Sequence, residues 1–309
     1  MNDTKLWISL SQVEGIGIAS LKNIHATLAN LHLSLYDIIE LDAKAIAHET
    51  GLPLELSEKI ATIQSTIEKS EKEYETLIDN SIEPVLFFDS HYPEKILKHI
   101  EYPPPVLYFY GNSQLATTKQ IAILSDHTAS ERGYNISFYA ARIAAQHSIT
   151  VTSGLAKGPQ TMAHRGALEG GGNTIAVLPM GILQLKIPEI LKEVFDQSRF
   201  LFISPFLPNE EYALHNSYKR NSLIAAMVDA LVIIETMQDG GSFEAAKSAA
   251  KCKTPLFAVE YAHYPDSALG NQVLINEYNA IPLRGRIQND MLVPNMDTCI
   301  AKVRYGDSK

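Results

Sequence analysis

Residues 121–178 read IAILSDHTASERGYNISFYAARIAAQHSITVTSGLAKGPQTMAHRGALEGGGNTIAVL, and this stretch decides the fold. Three short apolar runs, Ile121 to Leu124, Ile149 to Thr152 and Thr174 to Leu178, are separated by Glu131 to Gln146 and Gln160 to Glu169, each long enough for a helix. Continuously apolar runs suit strands covered on both faces, and strands alternating with crossover helices build a parallel sheet. The pattern continues outward in both directions. Upstream lie Val85 to Phe88 and Val106 to Tyr110. Downstream come Leu201 to Ile203, Ala230 to Ile234 and Leu256 to Val259, with helices expected over Pro188 to Gln197, Lys219 to Val228 and Ser242 to Ala250. The expected fold is α/β, an extended Rossmann-like, doubly wound and largely parallel sheet. In such sheets ligands lie at the carboxyl ends of the strands.

Ahead of this pattern the first eighty residues read as helices, with apolar positions from Leu6 to Leu28, then around Leu35 to Leu41 and Leu56 to Ile78. They predict a small helical domain over residues 1–80, before an extended Rossmann-like domain over 81–290 and a C-terminal tail over 291–309. Within the helical part, Gly15-Ile16-Gly17 looks like the turn of a helix-hairpin-helix, in which amides at a helix start approach a DNA phosphate. A plain glycine turn between packed helices, with no ligand, is the simpler reading of so short a motif. The last stretch, about 287–309, is expected either to add a strand or to lie on the surface.

Composition bounds the classes. Of 309 residues 46% are hydrophobic and 20% charged, the balance of a globular protein rather than a disordered chain. No apolar run reaches the roughly 18 residues that a membrane helix needs, and MNDTKLWISL lacks the plan of a signal peptide. A cytoplasmic protein is expected. Cys252 and Cys299 are read as reduced thiols without chemistry. The net charge of -9 argues against a uniform coat for nucleic acid but leaves room for a local basic groove, whose residues must then be named.

Two constellations fall at the expected ligand edge. Ser153-Gly154-Leu155-Ala156-Lys157-Gly158 joins a buried strand to a helix, where glycines admit an anion close to backbone amides and Lys157 adds charge. Lys219-Arg220-Asn221 is read as opening a helix, with an arginine fork for phosphate and an amide for a base edge or sugar. Gly240-Gly241-Ser242, at the start of the next helix, forms a second entrance suited to an anion. Ser125-Asp126-His127 follows the first core strand, with Asp126 or Ser130 as a helix cap. His164 is read as a polar residue on the sheet-facing side or rim of its helix. No metal site, catalytic triad or cofactor is expected.

Taken together the segments resemble the DprA/Smf family of DNA-processing proteins. The likeness runs through Tyr92-Pro93, Tyr102-Pro103-Pro104-Pro105-Val106-Leu107-Tyr108 to Gly111-Asn112, then Ser153 to Gly158 and Ala163-His164-Arg165-Gly166-Ala167-Leu168. It continues through Thr174 to Leu178, Lys219-Arg220-Asn221, Gly240-Gly241-Ser242-Phe243 and Gly270-Asn271 with Leu274-Ile275. The resemblance implies a homodimer that binds single-stranded DNA in a basic pocket and helps to load a RecA-type recombinase during natural transformation, without catalysis. The implied DNA-binding residues are Ser153, Gly154, Lys157, Gly158, Lys219, Arg220, Asn221, Gly240, Gly241 and Ser242, with His127 or Phe243 as stacking platforms.

The chain departs from the family pattern at several places. Ser125-Asp126-His127 stands for Gly-Ser-Arg, Arg220-Asn221-Ser222 for Arg-Asn-Arg, Gly158-Pro159-Gln160 for Gly-Ile-Asp, and Ser204-Pro205 for Ser-Glu. Two arginines are thereby missing and a carboxylate is gained. No C-terminal winged helix is expected in the last twenty or so residues. The segment from Arg220 to Glu244 also resembles lysine-decarboxylase-like phosphoribohydrolases. In that alternative Arg220 binds a nucleotide phosphate and Glu244 or Asp126 supplies the carboxylate.

Overall fold

The structure is a computed structural model and describes residues 3–288 and 291–306. The chain divides into two compact units, Met1–Tyr92 with Glu101–Tyr108, and Pro93–Ile100 with Phe109–Lys309. The boundary expected after residue 80 falls inside the first unit.

The first unit carries α1 (Thr4–Ser11), α2 (Ile18–Leu31), α3 (Leu35–Ile38), α4 (Ala43–Thr50), α5 (Leu54–Thr62) and α6 (Ile67–Asp79), followed by strand β1 (Ile82–Leu86). Leu6, Leu10, Leu21, Ile24, Leu35, Ile46 and Ile60 are buried together as the stripes of these helices. An aromatic knot closes the core. Trp7 meets Phe88 edge-on at 5.2 Å and His25 stacks on the same ring at 4.0 Å. Asp42 caps α4 by accepting from Ala45 N at 2.8 Å. In the glycine turn, Gly15 sits at φ +76° and its carbonyl accepts from Lys59 Nζ at 3.3 Å, while Gly17 begins α2.

Strand β2 (Val106–Gly111) belongs to both units. The second unit continues with α7 (Glu94–His99), β3 (Gln120–Leu124), α8 (Glu131–Gln146), β4 (Thr150–Gly154), α9 (Pro159–Glu169), β5 (Thr174–Val177), α10 (Glu189–Lys192) and β6 (Phe200–Ser204). Then come α11 (Leu214–Met227), β7 (Ala230–Ile233), α12 (Gly241–Cys252), β8 (Leu256–Val259), α13 (Leu269–Glu277), β9 (Ile281–Leu283), β10 (Gly285–Gln288), β11 (Met291–Pro294) and α14 (Asp297–Tyr305).

The sheet order is β1-β2-β6-β5-β4-β3-β7-β8-β9, and the pairs from β6 through β9 are parallel. From β3 the chain winds outward through β4, β5 and β6, then α11 carries it back across to β7 on the other side of β3. The topological switch point therefore lies between β3 and β7. Within the residues expected as a tail, β11 pairs antiparallel with β10, and α14 follows, whose Cys299, Ile300 and Val303 join the core cluster of β3, β4, β7 and β8. Both cysteines are free thiols. No helix among the described residues is long and apolar enough to cross a membrane.

Two observations fix how α9 is held. It runs against α8 along a seam of small residues, Ala140, Ala141, Ala144, Ala163 and Ala167, all fully buried. A Cβ on Gly166 would lie 2.2 Å from the carbonyl oxygen of Phe138, and backbone cannot yield as a side-chain end can. Helix propensity alone makes Gly166→Ala stabilising by about 1 kcal/mol. Packing reverses the sign, and we expect a loss of about 1 to 3 kcal/mol in urea unfolding. A stabilised variant would contradict the seam.

His164, on α9, is fully buried and faces the sheet: Nε2 is 2.8 Å from the Gly154 carbonyl and Nδ1 is 2.7 Å from Thr174 Oγ1. A carbonyl only accepts, so Nε2 carries the proton. Burial first, and the Arg220 charge less strongly, push its pKa down to about 4, against a raising contribution from the Gly154 bond. The unfolded chain takes up this proton near pH 6.5 and the folded one only near 4, so the residue's contribution to stability is lost as pH falls across that window. The stability difference between wild type and His164→Gln should shrink between pH 7 and pH 4.5 in denaturant titrations. A difference independent of pH would show that His164 is not held neutral.

Candidate nucleic-acid interface

Strands β3 and β7 end side by side at the switch point, and each is followed by a carboxylate. Asp126, after β3, accepts from Thr236 Oγ1 at 2.7 Å, Met237 N at 3.1 Å and Ser242 N at 3.0 Å. The Ser242 amide is in the first turn of α12, so Asp126 fills that helix entrance with a side-chain anion. Glu235, after β7, does the converse. Its carboxylate accepts from Ser130 N at 2.7 Å and Ser130 Oγ at 2.6 Å at the start of α8, and from Tyr261 Oη at 2.7 Å and Ser267 Oγ at 2.6 Å. Each strand thus caps the helix that follows the other.

Two glycines make room for this exchange. A Cβ on Gly240 would sit 1.9 Å from Asp126 Oδ2, and one on Gly133 would sit 2.9 Å from Glu235 Oε1. Glu235 is fully buried, and burial alone would push its pKa up. The hydrogen bonds from Ser130, Ser267 and Tyr261 outweigh it and hold the pKa below the ordinary glutamate value. The anion cradle expected at Gly240, Gly241 and Ser242 is consequently occupied from within. Gly241 also lends its carbonyl to Asn221 Nδ2 at 3.0 Å.

A second polar centre lies beside it, over the ends of β4 and β5. Helix α11 begins at Leu214, so Lys219, Arg220 and Asn221 are inside the helix and do not open it. Arg220 is 3% exposed and reaches inward, its Nη1 donating to the Val177 carbonyl at 3.1 Å. The guanidinium lies on Gly154, where a Cβ would come within 1.5 Å of Nη1 and 2.3 Å of Gln160 Oε1. Burial pulls the Arg220 pKa down to about 10, which leaves it charged at neutral pH. Four buried atoms of this neighbourhood have no hydrogen-bond partner: Arg220 Nε, Gln160 Oε1, Asn216 Oδ1 and Asn221 Oδ1.

The remaining expected residues separate into two groups. Lys157 and Lys219 are exposed and make no ion pair among the described residues. Ser153 and Gly158 are structural. The Ser153 hydroxyl is buried and donates to the Ile123 carbonyl at 2.6 Å. Gly158, at φ +106°, starts α9 with its amide on Thr161 Oγ1 at 3.2 Å. Phe243 is buried edge-on against Tyr278 and offers no stacking face, whereas His127 is exposed. Glu244 pairs with Lys247 at 2.7 Å. Among the described residues no cluster of three or more side chains is arranged for a metal.

Sequence reasoning missed Gln160, Asn216 and Glu235. For Asn216 a signal existed, because it lies four residues before Arg220 and so shares its helix face. For Glu235 none existed locally, since its partners Ser130, Tyr261 and Ser267 are scattered along the chain.

Comparison with known proteins places this architecture. The family described as DNA recombination-mediator protein A matches residues 83–291. DNA processing protein DprA of Streptococcus pneumoniae is 30% identical over 161 residues, 51% of this chain and 56% of that protein, so the match spans little more than half of the relative. Protein Smf of Synechocystis is 26% identical over 310 aligned positions, 93% of this chain and 76% of the relative. The X-ray structure of the Streptococcus pneumoniae protein superposes with a TM-score of 0.71 at 23% identity, covering 92% of this chain and 95% of that one. The Helicobacter pylori DNA processing protein A, described for its single-stranded DNA binding mode, gives 0.58 at 20% identity over 72% of this chain and 95% of that one. At these identities the superpositions establish the fold, and the family match, which covers most of the chain, establishes kinship: the chain belongs to the DNA recombination-mediator protein A family.

Proposed function

We propose that this protein binds single-stranded DNA along the carboxyl edge of its sheet, as a recombination mediator without catalysis. The observation that carries the reading is Arg220, a buried charged guanidinium whose Nε has no partner, together with Lys157 and Lys219, which are exposed and make no ion pair among the described residues. A buried donor without a partner costs about 1 to 3 kcal/mol, a cost that a ligand acceptor at this place relieves. Family membership and the relative described as binding single-stranded DNA support the same ligand. Ser153, Gly154, Gly158, Gly240, Gly241 and Ser242, with the buried Arg220 and Asn221, then shape the floor, while the exposed Lys157 and Lys219 face the strand.

The mononucleotide alternative fits less well. It needs the entrance of α12 for a phosphate, and Asp126 holds the Ser242 amide there. It needs a free carboxylate, yet Asp126 has three donors and Glu244 is paired with Lys247. The reading extends to a homodimer, to a RecA-type recombinase as partner and to work in the cytoplasm, where such partners meet. A dimer doubles the groove available to one strand. Light scattering should return twice the chain mass, and a monomer across a wide concentration range would remove that part.

The decisive experiment titrates labelled oligo-dT and a panel of nucleoside monophosphates at two salt concentrations. Oligonucleotide binding should be salt-sensitive and mononucleotide binding negligible. Lys157→Ala and Lys219→Ala should each lower the salt slope by about 0.7. Arg220→Ala, with its fold checked by circular dichroism, should weaken binding by about 1.5 to 3 kcal/mol. Release of free base from a nucleoside monophosphate, abolished in Glu244→Gln, would replace this reading with the enzymatic one.

A further inference from the structure

The second unit leaves two aromatic rings uncovered next to the Arg220 centre. Tyr218 is 39% exposed and Tyr212 is 58% exposed. On α11, Leu214, Tyr218 and Asn221 are spaced four and three residues apart and share one face, which turns toward the start of α12. Asn221 Nδ2 bonds the Gly241 carbonyl at 3.0 Å, and Tyr218 Cε1 lies 3.8 Å from where a Gly241 Cβ would be. Leu214, at the outer end of this face, is 65% exposed. Tyr212, just ahead of the helix, is close enough to influence the ionisation of Arg220, and its hydroxyl lies 3.4 Å from Ser217 Oγ.

Resting on the single-stranded DNA reading above, we infer that Tyr218 and Tyr212 are the stacking platforms for unpaired bases. An exposed aromatic ring in water is an unfavourable surface, and the flat face of any base covers it without regard to sequence. The charges around the rings agree with bases as occupants. Lys219 follows Tyr218 and makes no ion pair among the described residues, so a phosphate has a contact beside the ring. Exposed Glu211 next to Tyr212, and exposed Asp239 ahead of α12, repel phosphate from the ring positions themselves. Lys219 thus holds the backbone above the buried Arg220 charge while the rings take the bases. The two tyrosines do in this chain what the buried Phe243 is placed too deep to do.

The test compares wild type, Tyr218→Ala, Tyr212→Ala and the two Tyr→Phe variants by fluorescence anisotropy, with labelled oligo-dT and an abasic oligonucleotide of equal length. Each alanine variant should lose at least about fivefold in affinity for oligo-dT. The phenylalanine variants should stay within about twofold, and the salt slope should not change, because no cation is removed. Binding of the abasic strand should be equal in all five proteins. Alanine variants that bind oligo-dT as wild type does, or that lose the abasic strand equally, overturn the platform and leave the single-stranded DNA reading standing. A wild type that binds no oligo-dT overturns the underlying reading instead.

Discussion

The structure depends on an exchange of carboxylates between its two central strands. Asp126, following β3, fills the entrance of α12, and Glu235, following β7, fills the entrance of α8. In a doubly wound sheet this junction is where two helix starts and two strand ends diverge and leave a crevice with orphan amides. Here the protein supplies the anions itself. Each carboxylate gathers several hydrogen-bond donors, so its charge is stabilised locally, and the two chain segments that separate at the switch point are tied together. Gly133 and Gly240 follow from the same constraint, since any side chain there would strike a carboxylate.

Once the crevice is closed, the open polar chemistry moves to the neighbouring strand ends, under α11. That helix is the crossover that returns the chain from β6 to β7, and its path brings Arg220 onto Gly154. A guanidinium buried this far keeps its charge but satisfies only part of its fork, with one bond to the Val177 carbonyl. The adjacent acceptors on Gln160, Asn216 and Asn221 are also unpartnered. A polymer gripped from above through several shallow contacts suits this place better than a small phosphate ligand held in a deep cradle. On the proposed reading, the acidic body, at -9 overall, confines nucleic acid to the few exposed cations at this edge.

Much of this is legible in the sequence where the signals are local. The helix over Glu131 to Gln146 is read to the residue, because Ser130 is a strong cap and His147-Ser148 ends the pattern. The strands emerge from runs of branched apolar residues, and His164 from its place on the sheet-facing side of α9. Helix α11 is read as beginning five residues late, since Asn216, Ser217 and Tyr218 have weak helix propensity and are held helical by packing. The carboxylate exchange is illegible for a different reason. Asp126 meets Thr236 and Ser242 across more than a hundred residues, and in one dimension it appears only as a substitution in an expected Gly-Ser-Arg.

Asp126 is thus a structural anion that seals the switch point. The isosteric substitution Asp126→Asn sets an amide NH₂ against groups that themselves donate. Urea unfolding of this variant at neutral pH should show a loss of about 1.5 to 3 kcal/mol, the range for hydrogen bonds to a charged group. Stability within about 0.5 kcal/mol of wild type, the range of an ordinary surface substitution, would contradict the account.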